Sequence, residues 1–223
     1  MTSDMIDRTE ALDLASLLCS RMCHDLLSPV GAMTNGLELL ADEQDPDMRR
    51  RCFELLEQSA ASTAAKLKFF RLAFGAAGGF GDSVAVAEAR ALIEGLIAGR
   101  EKLELNWQIT VDALPKPAVK TVLNLAMIAI EALVRGGRVD VAAELRQDLE
   151  VPATEIVVRA IGPRIAFDPV VGQALEGKLA PEELSSRTAP ARMLANIAAR
   201  LGGVLQFAQV PEALVLGAVL PLA

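Results

Sequence analysis

Apolar residues recur along the first forty positions at Ala15, Cys19, Met22, Leu26, Val30, Met33, Leu37 and Leu40, a spacing near 3.6 residues. This pattern predicts one long amphipathic helix from about Asp7 to Ala41. A polar stretch, Asp42-Glu43-Gln44-Asp45-Pro46-Asp47, follows it and carries a helix-start signal. A second stripe through Met48, Cys52, Leu55, Ser59, Thr63, Leu67, Phe70 and Phe74 predicts a second helix from about Met48 to Phe74. Two long helices joined by a short turn form an antiparallel hairpin. Leu17, Cys23 and Leu27 widen the apolar face of the first helix beyond what one partner helix covers. Two chains are therefore expected to combine in a dimeric four-helix bundle.

The pattern changes after Gly75-Ala76-Ala77-Gly78-Gly79-Phe80-Gly81-Asp82, a glycine-rich linker. Beyond it, Val86–Ile97, Pro117–Val134 and Pro190–Leu201 have helical spacing, the second of them almost wholly apolar and hence buried. Strand signals occupy Leu103–Ile109, Val139–Leu145, Glu155–Ala160, Gly203–Phe207 and Leu214–Leu220. Gly202-Gly203 closes the last helix. The expected fold class is α+β: the helical hairpin over residues 1–75, a linker over 76–82, and a two-layer α/β domain with an open, largely antiparallel sheet over 83–223.

The chain has one histidine, His24, in the segment Cys23-His24-Asp25-Leu26-Leu27-Ser28-Pro29. It lies about 200° round the helix from Met22, away from the apolar stripe. Its own face reads Ser20, His24, Ser28, Gly31, Asn35 and Glu38, small and polar positions that let a partner approach the ring. Pro29, inside the helix, removes a backbone donor and should bend or loosen it near the histidine. A single histidine and three scattered cysteines do not make a zinc site, and Cys19, Cys23 and Cys52 read as small apolar fillers in a reducing compartment.

Composition removes other classes. A formal net charge of −7 disfavours nucleic acid as a partner. The most apolar run, Val119 to Val134, is interrupted by Glu131 and falls short of a membrane span. The N-terminal Asp4, Asp7 and Glu10 do not resemble a signal peptide. A cytoplasmic protein without membrane or nucleic-acid binding is expected.

His24-Asp25-Leu26-Leu27-Ser28-Pro29 resembles the phosphoacceptor motif of sensor histidine kinases, His-Asp/Glu-x-x-Ser/Thr-Pro. The second half resembles a degenerate histidine-kinase ATP-binding (Bergerat-type) domain with its boxes in order. Asn124-Leu125-Ala126-Met127-Ile128-Ala129 is similar to the asparagine box, with Ile128 replacing the second asparagine, a magnesium ligand. Ala160-Ile161-Gly162-Pro163-Arg164-Ile165 is similar to the Asp-x-Gly-x-Gly-Ile box. There Ala160 replaces the adenine-reading aspartate, and Arg164 puts a side chain where the backbone must approach the nucleotide. The lid is reduced to Ser185-Ser186-Arg187-Thr188-Ala189-Pro190. A retained phosphoacceptor beside lost nucleotide boxes resembles the bacterial histidine phosphotransferases of the ChpT type, over essentially the whole chain.

That resemblance implies a homodimer that neither binds nor hydrolyses ATP. In it His24 accepts a phosphoryl group from the receiver domain of a hybrid histidine kinase and passes it to response-regulator receivers. Asp25 would orient the ring or accept its proton, and Ser28 with Pro29 would shape and loosen the helix. The chain would carry no cofactor or metal of its own; Mg2+ would come with the receiver. Receiver docking would use Met22, Leu27, Ser28 and Gly31 on the first helix, and Lys66, Lys68 and Arg71 on the second, whose charge complements an acidic pocket. The alternatives are a kinase-like dimer that only sequesters receivers, a divergent ATP-dependent kinase, and a purely structural dimer.

Overall fold

The computed structural model describes residues 2–75, 82–148 and 150–222, with side chains from residue 9 onward. The glycine-rich segment 76–81, read as most of a linker, lies outside the described residues.

Helix α1 spans Thr2–Asp42 without interruption at Pro29, and α2 spans Pro46–Ala73. The turn between them is built by local chemistry. Asp45 caps α2 by accepting the Asp47 amide at 2.8 Å, and Pro46 occupies the first turn, where its missing N–H costs nothing. Arg49 Nη1 reaches back to the carbonyls of Leu40 (3.2 Å) and Glu43 (2.9 Å), satisfying the end of α1. The helices approach closely at Gly36, where a Cβ would sit 3.1 Å from Leu56 Cδ2.

The α/β part contains α3 (Val86–Ile97), α4 (Lys116–Ala132), α5 (Pro169–Leu175) and α6 (Ala189–Leu201). Its main sheet is formed by β2 (Leu103–Trp107), β4 (Gly137–Arg146), β5 (Ala153–Ile161), β6 (Val204–Val210) and β7 (Ala213–Pro221), in the order β2-β4-β5-β7-β6. Only the β2–β4 pair is parallel, and α4 lies in the crossover between those two strands. The short strands β1 (Ser83–Ala85) and β3 (Ala113–Pro115) pair antiparallel with each other, outside the main sheet. These two strands and α5 were not anticipated from the sequence; each is too short to show a periodicity. The predicted α+β arrangement of hairpin and two-layer domain is otherwise the one observed.

Alternation along β4, β5 and β7 sends Val139, Val141, Ile156, Val158, Ala160, Leu214 and Leu216 toward the helical layer, where α4 is buried along most of its length. Phe69, Phe70, Leu72 and Ala73 belong to the same core, so the last turns of α2 are built into the α/β part. Gly202 closes α6 in the left-handed region (φ 66°), as its sequence position predicts. Among the described residues no helix is long and apolar enough to cross a membrane.

The other sheet face carries one buried carboxylate. Asp140 accepts from Arg138 Nε (2.7 Å), Arg159 Nη2 (2.7 Å) and Asn106 Nδ2 (3.1 Å) across three adjacent strands. Burial opposes its charge, but the bonds from Arg159, Asn106 and Arg138 outweigh that and hold the carboxyl below its ordinary range. A depressed native value stabilises the fold above the unfolded value, and the contribution disappears as pH falls through the native one. Asp140→Asn should therefore cost about 2 kcal/mol near neutrality. Its deficit against wild type should shrink once pH drops below about 4, as read by urea denaturation at fixed protein concentration.

Candidate functional site

His24 stands on α1 with 82% of its side chain exposed. Its Nδ1 lies 3.2 Å from Asp25 Oδ1, and Nε2 has no partner among the described residues. A carboxylate only accepts hydrogen bonds, so in the neutral ring this pairing favours the hydrogen on Nδ1 and a lone pair on Nε2.

Asp25 is held from three directions. Its Oδ1 faces the imidazole, and its Oδ2 accepts from Arg21 Nε at 2.8 Å. Its backbone carbonyl accepts from Lys66 Nζ of α2 at 2.7 Å. The last bond has a covalent origin. In a helix the carbonyl of Asp25 would receive the amide of residue 29, and that residue is proline. Pro29 thus leaves α1 intact while orphaning one carbonyl, which the second helix of the hairpin satisfies.

Arg21 is 11% exposed along its side chain and bridges two parts of the molecule. Nε goes to Asp25, and Nη2 pairs with Glu131 Oε1 on α4. Burial works against the guanidinium charge, yet Glu131 and Asp25 together raise its pKa above the usual arginine value. Around this pair lies a hollow lined by Met127, Ile128, Glu131, Phe167, Asp168 and Arg187, with about 30 Å³ of room for water. Arg187 is tied to Asp168 at 3.0 Å on its rim.

The residues at kinase-box positions are packed or bonded into the fold. Asn124 is fully buried, and its Nδ2 donates to the carbonyls of Lys120 (2.8 Å) and Ala73 (3.3 Å). Lys120 Nζ reaches the Gly75 carbonyl at 2.6 Å. Two residues of α4 therefore cap the C-terminal end of α2. Ile128 lines the small hollow beside Arg21, and Ala160 is buried beneath the helical layer.

The other residues singled out from sequence fall into two groups. Leu27 (69% exposed), Ser28, Lys68 and Arg71 are at the surface, and Arg71 comes within 3.9 Å of Glu88. Nothing lies within 4 Å of a Cβ built on Gly31, so the His24 face has an open notch about two turns along the helix. Met22 instead packs against the main core, and Lys66 is committed to Asp25. Arg21 and Glu131 were not singled out as site residues. The signals were present: an arginine four residues before Asp25, and a carboxylate interrupting the apolar run of α4. Among the described residues no group of three or more His, Cys, Asp or Glu side chains is arranged to hold a metal.

Residues 86–213 match the family described as the histidine phosphotransferase C-terminal domain. The chain is 43% identical over 135 residues to the protein phosphotransferase ChpT of Brucella abortus (strain 2308), an alignment taking in 60% of this chain and 62% of that relative. It is also similar to a bacterial phosphotransferase of known structure, with a TM-score of 0.79 and 32% identity over 93% of this chain and 96% of that one. A histidine kinase domain of Erythrobacter litoralis superposes at a TM-score of 0.46 with 14% identity, over 86% of this chain and 96% of that one.

The Pro29–Lys66 relation is testable by a double-mutant cycle. Lys66→Met should destabilise the chain by about 1–2 kcal/mol, because a carbonyl loses its donor. In a Pro29→Ala background the restored amide makes the same change worth less than about 0.5 kcal/mol. Equal losses in both backgrounds, by chemical denaturation, would show that Lys66 does not replace the missing amide.

Proposed function

The chain belongs to the histidine phosphotransferase family, and from that premise we propose that it relays phosphoryl groups between receiver domains through His24. The observation that carries this reading is the lone histidine, exposed and oriented by Asp25 so that Nε2 points a lone pair outward. In the forward step Nε2 attacks the phosphorus of an aspartyl phosphate on the donor receiver. The P–O bond to that aspartate breaks, and its carboxylate leaves with the electron pair. The neutral imidazole becomes an N-phosphoimidazolium, so no proton has to move. The positive charge that develops on the ring faces Asp25, which stabilises it through Nδ1–H. The acceptor receiver's aspartate then attacks the same phosphorus and returns the ring to neutrality.

Phosphoryl transfer depends on in-line positioning and charge stabilisation more than on covalent help. The divalent cation would belong to the receiver, which holds it with its own carboxylates. We assign receiver docking to Leu27, Ser28, Gly31, Lys68 and Arg71, with Met22 and Lys66 supporting that surface from beneath. ATP is not part of the scheme, because Ile128 and Ala160 stand where a nucleotide site of the kinase type would carry a metal-ligating asparagine and an adenine-reading aspartate. The setting is the cytoplasm, where receivers reside.

The dimer belongs to the same proposal. Leu12, Ser16, Cys19, Cys23, Leu26, Val30, Met33 and Leu37 follow an alternating four-three spacing on α1. Leu12 (67%) and Leu37 (61%) are largely exposed in the single chain, as are Cys19 and Cys23. On α2 a similar row through Phe53, Ala60, Ala64 and Leu67 is also exposed. A second hairpin covers both rows in a four-helix bundle. Replacing Leu12 and Leu37 together by Glu should halve the mass found by light scattering at micromolar concentration; an unchanged mass would place the dimer seam elsewhere.

The transfer itself is tested in two steps on wild type and His24→Ala. Each is offered radiolabelled ATP with magnesium, then separately a labelled, phosphorylated receiver domain. Label should come from the receiver only, and His24→Ala should take none. Label taken from ATP would make the chain a kinase, and no label from either would leave a binding module.

A further inference from the structure

Arginine and carboxylate usually meet through two parallel bonds, and the side-on fork uses Nε together with Nη2. Arg21 does not close that fork on Asp25. Its Nε takes Oδ2 at 2.8 Å, while Nη2 is drawn to Glu131 on α4. Oδ1 of Asp25 is therefore left to His24 Nδ1. We infer that Glu131, from the α/β part of the chain, is a positioning residue for phosphoryl transfer: by occupying Arg21 Nη2 it keeps one oxygen of Asp25 available to fix the His24 ring. This rests on the phosphotransfer reading and extends it by giving the second domain a part in the chemistry at a histidine it does not carry.

The physical argument is one of competition. Arg21 is buried and must keep its charge paired. Asp25 and Glu131 are its two carboxylate partners. If Glu131 lost its charge, the guanidinium would turn both Nε and Nη2 onto Asp25 and take Oδ1 from the imidazole. The ring would then be free to hold its hydrogen on Nε2, the atom that has to attack. The hairpin would still fold and His24 would still be exposed, but fewer rings would carry the lone pair in the right place.

A purely structural brace between α1 and α4 would lose stability in the single variant and regain it in the double one, but it would leave the ring hydrogen of His24 where it is; only competition for Asp25 moves that hydrogen between the two nitrogens. In Glu131→Gln the neutral amide holds Nη2 more weakly than the carboxylate does, the charged Asp25 draws the fork closed, and the site is impaired. In the double variant Glu131→Gln with Arg21→Gln no guanidinium is left to compete, no charge is left buried at that position, and Asp25 returns to His24. The double variant should therefore work better than the single one.

The experiment uses the full chain labelled with 15N-histidine, which gives a single imidazole spectrum because His24 is the only histidine. Phosphoramidate serves as a donor that needs no docking: Nε2 attacks its phosphorus, the P–N bond breaks, and the already protonated nitrogen leaves as ammonia. Wild type should show the neutral ring with its hydrogen on Nδ1. Glu131→Gln should move the ring toward the Nε2–H form and slow phosphohistidine formation roughly tenfold, with the KM for a phosphorylated receiver unchanged. The double variant should regain the Nδ1–H form and most of the rate. Wild-type tautomer and rate in Glu131→Gln would overturn the inference, and so would a double variant no better than the single one. If wild type accepts phosphoryl from neither phosphoramidate nor a receiver, the phosphotransfer reading fails, while the tautomer ratios of the three proteins still decide the positioning role.

Discussion

A guanidinium buried between α1 and α4 has to be paired, and that requirement joins the hairpin to the α/β part. Removing one partner from a buried ion pair costs about 3–5 kcal/mol, because the other is left charged in a poor solvent. Arg21 meets the requirement with two carboxylates from different elements, Asp25 one turn along its own helix and Glu131 on α4. The consequence reaches beyond stability. The α/β part is attached to the same side chain that pairs with Asp25, so one of the contacts that join the two parts also reaches the carboxylate beside His24.

The polar residues of α4 are spent on the hairpin. The amide of Asn124 donates to the end of α2 and to its own helix. Lys120 does the same for Gly75, and Arg21 enters the hollow from the hairpin side. Each of these contacts ties the hairpin to the domain.

Much of this was legible in the sequence. The 3.6-residue spacing gave both long helices, the alternation gave the five strands of the main sheet, and the one histidine with its Asp and Pro neighbours marked the site. The three short elements β1, β3 and α5 were not, since three to seven residues are fewer than two periods of any pattern. Neither was the network behind the histidine. An arginine four residues before an aspartate looks like an ordinary surface pair, and only the fold brings Glu131, 110 positions away, against its other nitrogen. Lys66 likewise reads as a solvated charge until the helices are paired, although Pro29 announces that the carbonyl of Asp25 will need a donor.

The hairpin has to combine exposure and order at one place. His24 is open to solvent, and open side chains on a helix are free to rotate. The chain resolves the conflict by leaving the ring exposed and fixing what lies directly under it. The Asp25 backbone is held by α2, and its carboxylate by Arg21, which is held in turn by α4. Pro29 contributes by withdrawing a local bond, so that the carbonyl beside the histidine is anchored across the hairpin and not merely along its own helix. The proline that would loosen an isolated helix here goes with a cross-link between helices, and the carboxylate beside an exposed ring is held by buried charge.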